Sequence, residues 1–457
     1  MTLIERPTLA MAPRPKRRLS IIQFIRTAAK NSLATCDEEL FETLFVRRDL
    51  LWYSLFVISD PEGIKRVLVD NHENYRESHV KLNLLKPALG NGLLTAEGEI
   101  WRRHRRLIGP MLSNQANATA SAIVPELAER LAQHLLTLPA DRPIDVGGAI
   151  APTMRTVLSA ILFGRDADED NIFRTFKMYS AVPRLSDFFP SLRWITGPVK
   201  RRRPHESEFD AIIYKMIAER EDTAAADRQD LLSMLVSAQD GKAGEYLDKT
   251  EIRDEMATLI YGGLNTSLRA IVFVWYLLAM HPWAEAKLHA ELDEVLGGRT
   301  PDAKTDIPRL TFTRKLLDET MRLYPPIPVI SRTAVATDNV CRQNIPKGAH
   351  IIIAPWIVHR HHRLWDDPDR FDPERFSREN VASRPRHAYL PFSAGPRTCA
   401  ANALARTEMT LIVATLAQRC RFRLVPGRPI EPAGAATLYV KGGMMMTVER
   451  REPPGPV

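Results

Sequence analysis

One apolar helical pattern constrains this chain more than any other feature. It runs from Thr250 to Met280 without a proline and stops at His281-Pro282, where the ring removes a donor and clashes with the preceding turn. A second pattern from Trp283 to Leu296 is closed by Gly297-Gly298, so two helices meet at a proline-marked corner. Apolar residues recur at helical spacing from Gln115 to Asp141 (Ile123, Leu127, Leu131, Leu135, Leu136), from Ile150 to Phe163, from Phe209 to Ala238 and from about Ala401 to Gln418. Prolines crowd the first twenty residues and the chain after 324, where short apolar runs such as Ile351 to Ala354 read as strands. A chain of 457 residues has room for three domains at about 150 residues each. No composition break reads as a linker and no internal repeat is visible. The predicted organisation is a flexible basic, Pro-containing segment over 1–30, then a single domain over 31–457, mainly α with small β-sheets.

Hydrophobic residues make up 45% and charged residues 26%, which excludes disordered and collagen-like classes. The net charge of +8 suits an acidic partner surface, a nucleic acid or an anionic lipid. Four dispersed cysteines (Cys36, Cys341, Cys399, Cys420) without a C-x-x-C pair fit a reducing, cytoplasmic setting. The longest apolar stretches, Leu50 to Ile58 and Ala270 to Met280, fall short of the ~18 residues of a membrane-crossing helix. The N-terminus has no apolar run of signal-peptide length. No transmembrane anchor is expected.

The chemistry concentrates in Leu390-Pro-Phe-Ser-Ala-Gly-Pro-Arg-Thr-Cys-Ala-Ala-Asn-Ala-Leu-Ala405, a loop that delivers Cys399 to the start of an apolar helix. An isolated cysteine is ordinarily a buried small hydrophobe. At a helix N-terminus, however, the dipole and free N–H groups lower the thiol pKa and favour a thiolate that binds a soft metal. Gly395 lets the chain turn close to a flat ligand, Phe392 offers an aromatic face and Arg397 can meet an anion.

With these residues the chain resembles the cytochrome P-450 superfamily, whose haem loop F-x-x-G-x-R-x-C is matched by Phe392, Gly395, Arg397 and Cys399. Ala401 stands where the family usually has glycine. Glu319 and Arg322, which share a helix face, match the family's E-x-x-R, and Arg375 of Phe371-Asp-Pro-Glu-Arg-Phe376 its third partner; the resemblance assigns them a buried structural network. Trp101 and Arg105, four apart in Trp101-Arg-Arg-His-Arg-Arg-Leu107, match its W-x-x-x-R helix, a pair that the family sets on a haem propionate, so the resemblance makes Trp101 cofactor-binding as well. Arg105, Arg332 and Arg397 are then expected on the haem propionates, a task suited to guanidinium forks, and no nucleic acid is expected. Tyr261-Gly-Gly-Leu-Asn-Thr-Ser267 resembles the stretch that lies over the haem. Two glycines inside a helix cost about 1 kcal/mol each, which calls for a packing or functional reason. Thr266 matches the proton-organising threonine, and Asn265 replaces the family's acid. His359-Arg-His-His362 lacks the spacing of a metal site.

The resemblance spans about Glu97 to Arg450. It implies the family's triangular fold, with haem b between the long helix and the cysteine loop, and Cys399 as the axial iron ligand, pushing electron density that favours O–O cleavage. The implied function is an oxidoreductase: a monooxygenase inserting one oxygen atom from O2 into a C–H bond of a lipophilic terpenoid, steroid or fatty-acid-like molecule. Electrons would come from an acidic ferredoxin or flavodoxin with its NAD(P)H reductase, docking on a positive surface made by Arg102, Arg103, Arg106, Arg314 and Arg406. Leu82 to Leu94, Phe173 to Pro198 and Ile327 to Ile330 resemble pocket-forming segments. A haem-thiolate isomerase, dehydratase or peroxygenase, or a haem sensor, would share most of these motifs; Thr266 favours the monooxygenase.

Overall fold

The computed structural model describes residues 7–50, 53–177, 208–222, 230–238 and 247–452. The helices that build the body are α1 (Ile21–Lys30), α2 (His79–Leu89), α3 (Gly98–Ser113), α4 (Gln115–Thr137), α5 (Val146–Phe163), α6 (Glu208–Asp222), α7 (Lys249–Met280), α8 (Pro282–Leu296), α9 (Thr311–Leu323) and α10 (Asn402–Arg419). The expected helix over Phe209 to Ala238 is two, α6 and Leu231–Ser237, and the chain between them lies outside the described residues.

At 1.5 Å per residue α7 is about 48 Å long, and residues on all of its sides are buried, from Ile252 through Leu278. Its start is set by a capping box, with the Asp248 side chain accepting from Glu251 N–H and the Glu251 side chain accepting from the backbone of Asp248. Its end comes at His281, and α8 begins at Pro282 and closes on Gly297 in the left-handed conformation at φ 57°. Helix α10 packs on α4, and α5 and α9 pack on α7. Across the α7–α9 contact Phe273 stacks on Tyr324 with ring centroids 4.1 Å apart. Two helices, α5 and α7, are long and apolar enough to cross a membrane by composition, but 61% of each apolar window is buried inside the fold. That is the pattern of core helices.

The largest sheet has five strands in the order β1-β2-β5-β4-β3, formed by β1 (Phe45–Leu50), β2 (Tyr53–Ile58), β3 (Tyr75–Glu77), β4 (Ile330–Ala334) and β5 (His350–Ile353). Strand β2 runs parallel to β5, with Phe56 opposite Ile351. Strand β3 runs antiparallel to β4, and this register sets Glu77 directly opposite Arg332. The segment expected to be a flexible leader is tied to the body from residue 9 on. Leu9 and Ala12 are buried, Ala10 N–H donates to Tyr276 Oη at 2.7 Å, and Arg14 pairs with Asp369 at 2.9 Å.

Candidate functional site: the cysteine loop and the long helix

The cysteine loop is held by its own backbone. Phe392 carbonyl accepts from Cys399 N–H at 2.9 Å and from Thr398 Oγ1 at 3.1 Å, so Phe392 closes the loop, while its ring lies under the Arg406 guanidinium at 5.1 Å. Gly395 has φ +71°, and a Cβ there would sit 1.9 Å from the Leu68 carbonyl oxygen. Leu68 belongs to the turn Arg66–Asp70. The glycine expected for approach to a flat ligand is therefore demanded first by protein backbone.

Cys399 is accessible, yet it lies deep enough for burial to dominate its titration. Burial pushes the thiol up, against the Ala401 N–H and the charge of Arg105, which pull it down. The lowered pKa expected from the helix terminus is corrected here. Helix α10 starts three residues later, at Asn402, and desolvation outweighs its dipole, so a cation at the sulfur is needed to hold a thiolate.

Around the loop the structure gathers an excess of positive charge. Glu77 at the end of β3 is 4% exposed and receives Arg332 Nη1 at 3.0 Å, Lys81 Nζ at 2.9 Å and Arg397 Nη1 at 3.7 Å. Burial alone would raise its carboxyl, and the charges of Lys81, Arg332 and Arg397 override it and hold it below the ordinary range. Three cations share one carboxylate. Arg397 also donates to Ala96 carbonyl at 3.0 Å and lies 4.6 Å over the Trp101 ring. Arg105, half-buried on α3, is pushed down by desolvation. Glu77 and Lys81 were missed from the sequence. Their i, i+4 spacing was a local signal, but the meeting with Arg332 depends on strand register.

On α7, Thr266 Oγ1 donates to the Gly262 carbonyl at 2.9 Å, a back-bond that bends helices. Gly262 is exposed in mid-helix and a Cβ there would meet nothing within 4 Å, whereas one on Gly263 would lie 2.8 Å from Leu158 Cδ1. One glycine thus opens a gap and the other permits close packing on α5. Asn265 is half-buried. Ser267, the next residue after Thr266, bonds Glu408 of α10, a buried carboxyl that sequence reasoning did not single out.

Helices α3 and α7 are joined by charge. His104, fully buried, has Nδ1 2.6 Å from Glu255 Oε1, and Arg103 is ion-paired with Glu251. Burial would lower the imidazole, but Glu255 and Glu251 hold its pKa up. Arg103 therefore does not belong to an open positive surface, as the sequence reading had it. Arg406 is likewise paired with Asp318 at 2.8 Å, while Arg102 and Arg106 reach Glu99.

Behind the loop, Arg322 donates to both Glu319 oxygens at 2.6 and 2.7 Å. It also donates to the carbonyls of His359, Pro368 and Arg370 at 2.8, 2.6 and 2.9 Å. Arg375 Nε stands 3.7 Å from Glu319. His359 Nε2 accepts from Leu390 N–H at 2.8 Å. Burial drives its pKa down to about 3, so the ring is a neutral support of the loop. No group of metal-ligating side chains occurs elsewhere among the described residues. Of the pocket-forming segments, Ile327 and Val329 alternate as exposed with buried Pro328 and Ile330, and 178–198 lies outside the described residues.

A soft, accessible thiol, a rim with more cations than carboxylates and a long helix opened by a glycine suit a flat, dianionic macrocycle carrying a metal. That is the class of haem-thiolate proteins. The chain belongs to the cytochrome P-450 family, whose model matches residues 13–445. It is 33% identical over 398 residues, 86% of this chain and 85% of the relative, to cyclooctatin synthase of Streptomyces melanosporofaciens. It is 32% identical over 81% of both chains to cyclooctat-9-en-7-ol 5-monooxygenase of the same organism, and 30% identical to pentalenene oxygenase of Streptomyces avermitilis, covering 88% of this chain and 89% of the relative. The fold matches the haem domain of cytochrome P-450DA with a TM-score of 0.78 at 22% identity, covering 98% of this chain and 99% of that one. The protein is a cytochrome P-450 monooxygenase, an oxidoreductase with a haem cofactor.

Proposed function

We propose that this enzyme inserts one atom of O2 into a C–H bond of a lipophilic molecule, with Cys399 as the axial ligand of haem b. Terpenoids come first among candidate substrates, ahead of steroids and fatty acids, because the Streptomyces relatives are named for pentalenene and cyclooctat-9-en-7-ol. The observation that carries the reading is the Cys399 thiol, accessible but desolvated, in a loop whose rim bears more cations than carboxylates.

Arg332, Arg397 and Arg105 would hold the two propionates, with Trp101 fixing the Arg397 plane and Glu77 orienting the forks. Phe392 and Gly395 hold the loop that presents the sulfur. Bound haem supplies the activation of dioxygen, and the protein supplies the thiolate, the dry surroundings and the proton path. Gly262 leaves room beside α7, and Thr266, anchored on the Gly262 carbonyl, presents a hydroxyl that takes up and passes protons, with Asn265 holding water through its amide. Electrons come from a separate acidic ferredoxin or flavodoxin with its NAD(P)H reductase, which the net charge of +8 favours. The setting is cytoplasmic.

The test is Cys399→Ser. It should abolish the thiolate-type Soret band of the ferrous carbon monoxide complex, while Cys420→Ala, on a buried cysteine far along the chain, keeps it. Survival of that band in Cys399→Ser would refute the assignment.

A further inference from the structure

Helix α1 carries an apolar face that the fold covers only in part, with Phe24, Ile25 and Ala28 half-buried and Ile21, Ile22 and Ala29 exposed. At ~100° per residue, Ile21, Ile22, Phe24, Ile25, Ala28 and Ala29 fall on one side, and Gln23, Arg26, Thr27 and Lys30 on the other. A surface helix of a globular protein normally spends such a face on the core. Here no residue of α1 is buried, none of its apolar side chains joins a core cluster, and Ile21 and Ile22 are 37% and 65% exposed. The helix is nevertheless well specified. Ser20 caps it in a capping box with Gln23, and Arg18 donates to the Asp49 carbonyl at 3.2 Å, which pins its start beside the end of β1.

Charge identifies what covers this face. No aspartate or glutamate occurs from Pro7 to Cys36. Lys16, Arg17, Arg26 and Lys30 are exposed and make no ion pair with a carboxylate of the described residues. Arg26 follows Ile22 around the helix, so the exposed apolar edge adjoins the basic one. An exposed apolar edge bordered by cations, with low overall hydrophobicity, is the composition of a helix that lies in the plane of a membrane interface.

We propose that α1 docks this enzyme on an anionic lipid surface. Ile21 and Ile22 enter the boundary of headgroups and acyl chains, and Lys16, Arg17, Arg26 and Lys30 meet lipid phosphates. The helix has too few residues to span a bilayer, so the contact is peripheral and reversible. It would place the enzyme where a lipophilic substrate partitions, though it stands on α1 alone and not on the substrate assignment.

The experiment is co-sedimentation of the haem-loaded full chain with phosphatidylcholine vesicles, with and without phosphatidylglycerol. Binding is expected only to the phosphatidylglycerol vesicles and should weaken as salt is added. The double substitution Ile21→Ser, Ile22→Ser leaves the charge unchanged and should reduce binding about tenfold or more, with the Soret band and thermal midpoint intact. Arg26→Glu with Lys30→Glu should remove the preference for phosphatidylglycerol. Equal binding by the serine variant would reduce the effect to bulk charge and overturn the proposal, as would no binding by the parent protein. A concentration-dependent dimer without vesicles, lost in the serine variant, would assign the face to a second copy instead.

Discussion

Replacing Glu408 by glutamine should make the protein more stable in alkaline solution and leave it little changed in acid. Glu408 lies on α10, 8% exposed, with the Ser267 hydroxyl as its hydrogen-bond partner, and burial pushes its carboxyl from an ordinary 4.5 up to about 7. The folded chain thus holds this proton more tightly than the unfolded chain. The stabilisation is fully present below the unfolded pKa and is lost as pH rises through the folded one. Between pH 4.5 and 7, at 1.36 kcal/mol per pH unit, the loss is about 3 kcal/mol. Glutamine has nearly the same shape, cannot ionise and can still pair with Ser267. The stability difference between Glu408→Gln and the parent should therefore shift by most of that amount, in favour of the variant, between pH 5 and pH 8. Urea unfolding of both haem-loaded proteins at the two pH values measures it from the midpoints and a common slope. Other titrating groups, His104 and Glu255 among them, cancel in the difference. Parallel pH profiles would show that Glu408 is ionised in the folded protein or reaches water, and the argument from burial would fail.

The two glycines of α7 should respond in opposite ways. Gly262→Ala, with open space around its Cβ, should gain up to about 1 kcal/mol of helix stability while oxidation slows, and full activity would remove Gly262 from the lining of the reaction space. Gly263→Ala must displace Leu158, whose Cδ1 lies 2.8 Å away, so it should gain clearly less than Gly262→Ala or lose stability, with an equal gain in thermal midpoint refuting the close contact. Glu319→Gln leaves the fully buried Arg322 without its counter-charge and should cost about 3–5 kcal/mol; a cost under 1 kcal/mol in chemical unfolding would contradict a buried ion pair. Thr266→Ala should keep haem and substrate binding but divert reducing equivalents to peroxide, and Asn265→Asp should speed turnover if the amide only holds water. An unchanged ratio of product to NAD(P)H in both would take α7 out of the proton path. Reduction by an acidic ferredoxin should slow steeply with salt, and a flat dependence would show that charge does not steer the encounter.

Local pattern and tertiary pairing determined different things about this protein. The proline at 282 ended the long helix, the capping residues Asp248 and Gly297 bounded α7 and α8, and the residues around Cys399 stand in the order the loop needs. All of these are legible in sequence because backbone geometry and short-range spacing are properties of neighbouring residues. The same holds for the Glu319–Arg322 pair, one turn apart on one helix. What no neighbour could reveal is what a side chain meets across the fold. Glu77 faces Arg332 because two strands pair in one register, His104 reaches Glu255 because the fold brings α3 within side-chain reach of the first turns of α7, and Gly395 is required by the Leu68 carbonyl. Burial, too, is settled only when the chain closes. The helix terminus alone argued for a lowered Cys399 pKa, but desolvation raises it; Arg103 and Arg406, expected on an open basic face, are claimed by Glu251 and Asp318. Charge pairing and desolvation depend on distances through space, and residues far apart in sequence acquire those distances only from the folded core.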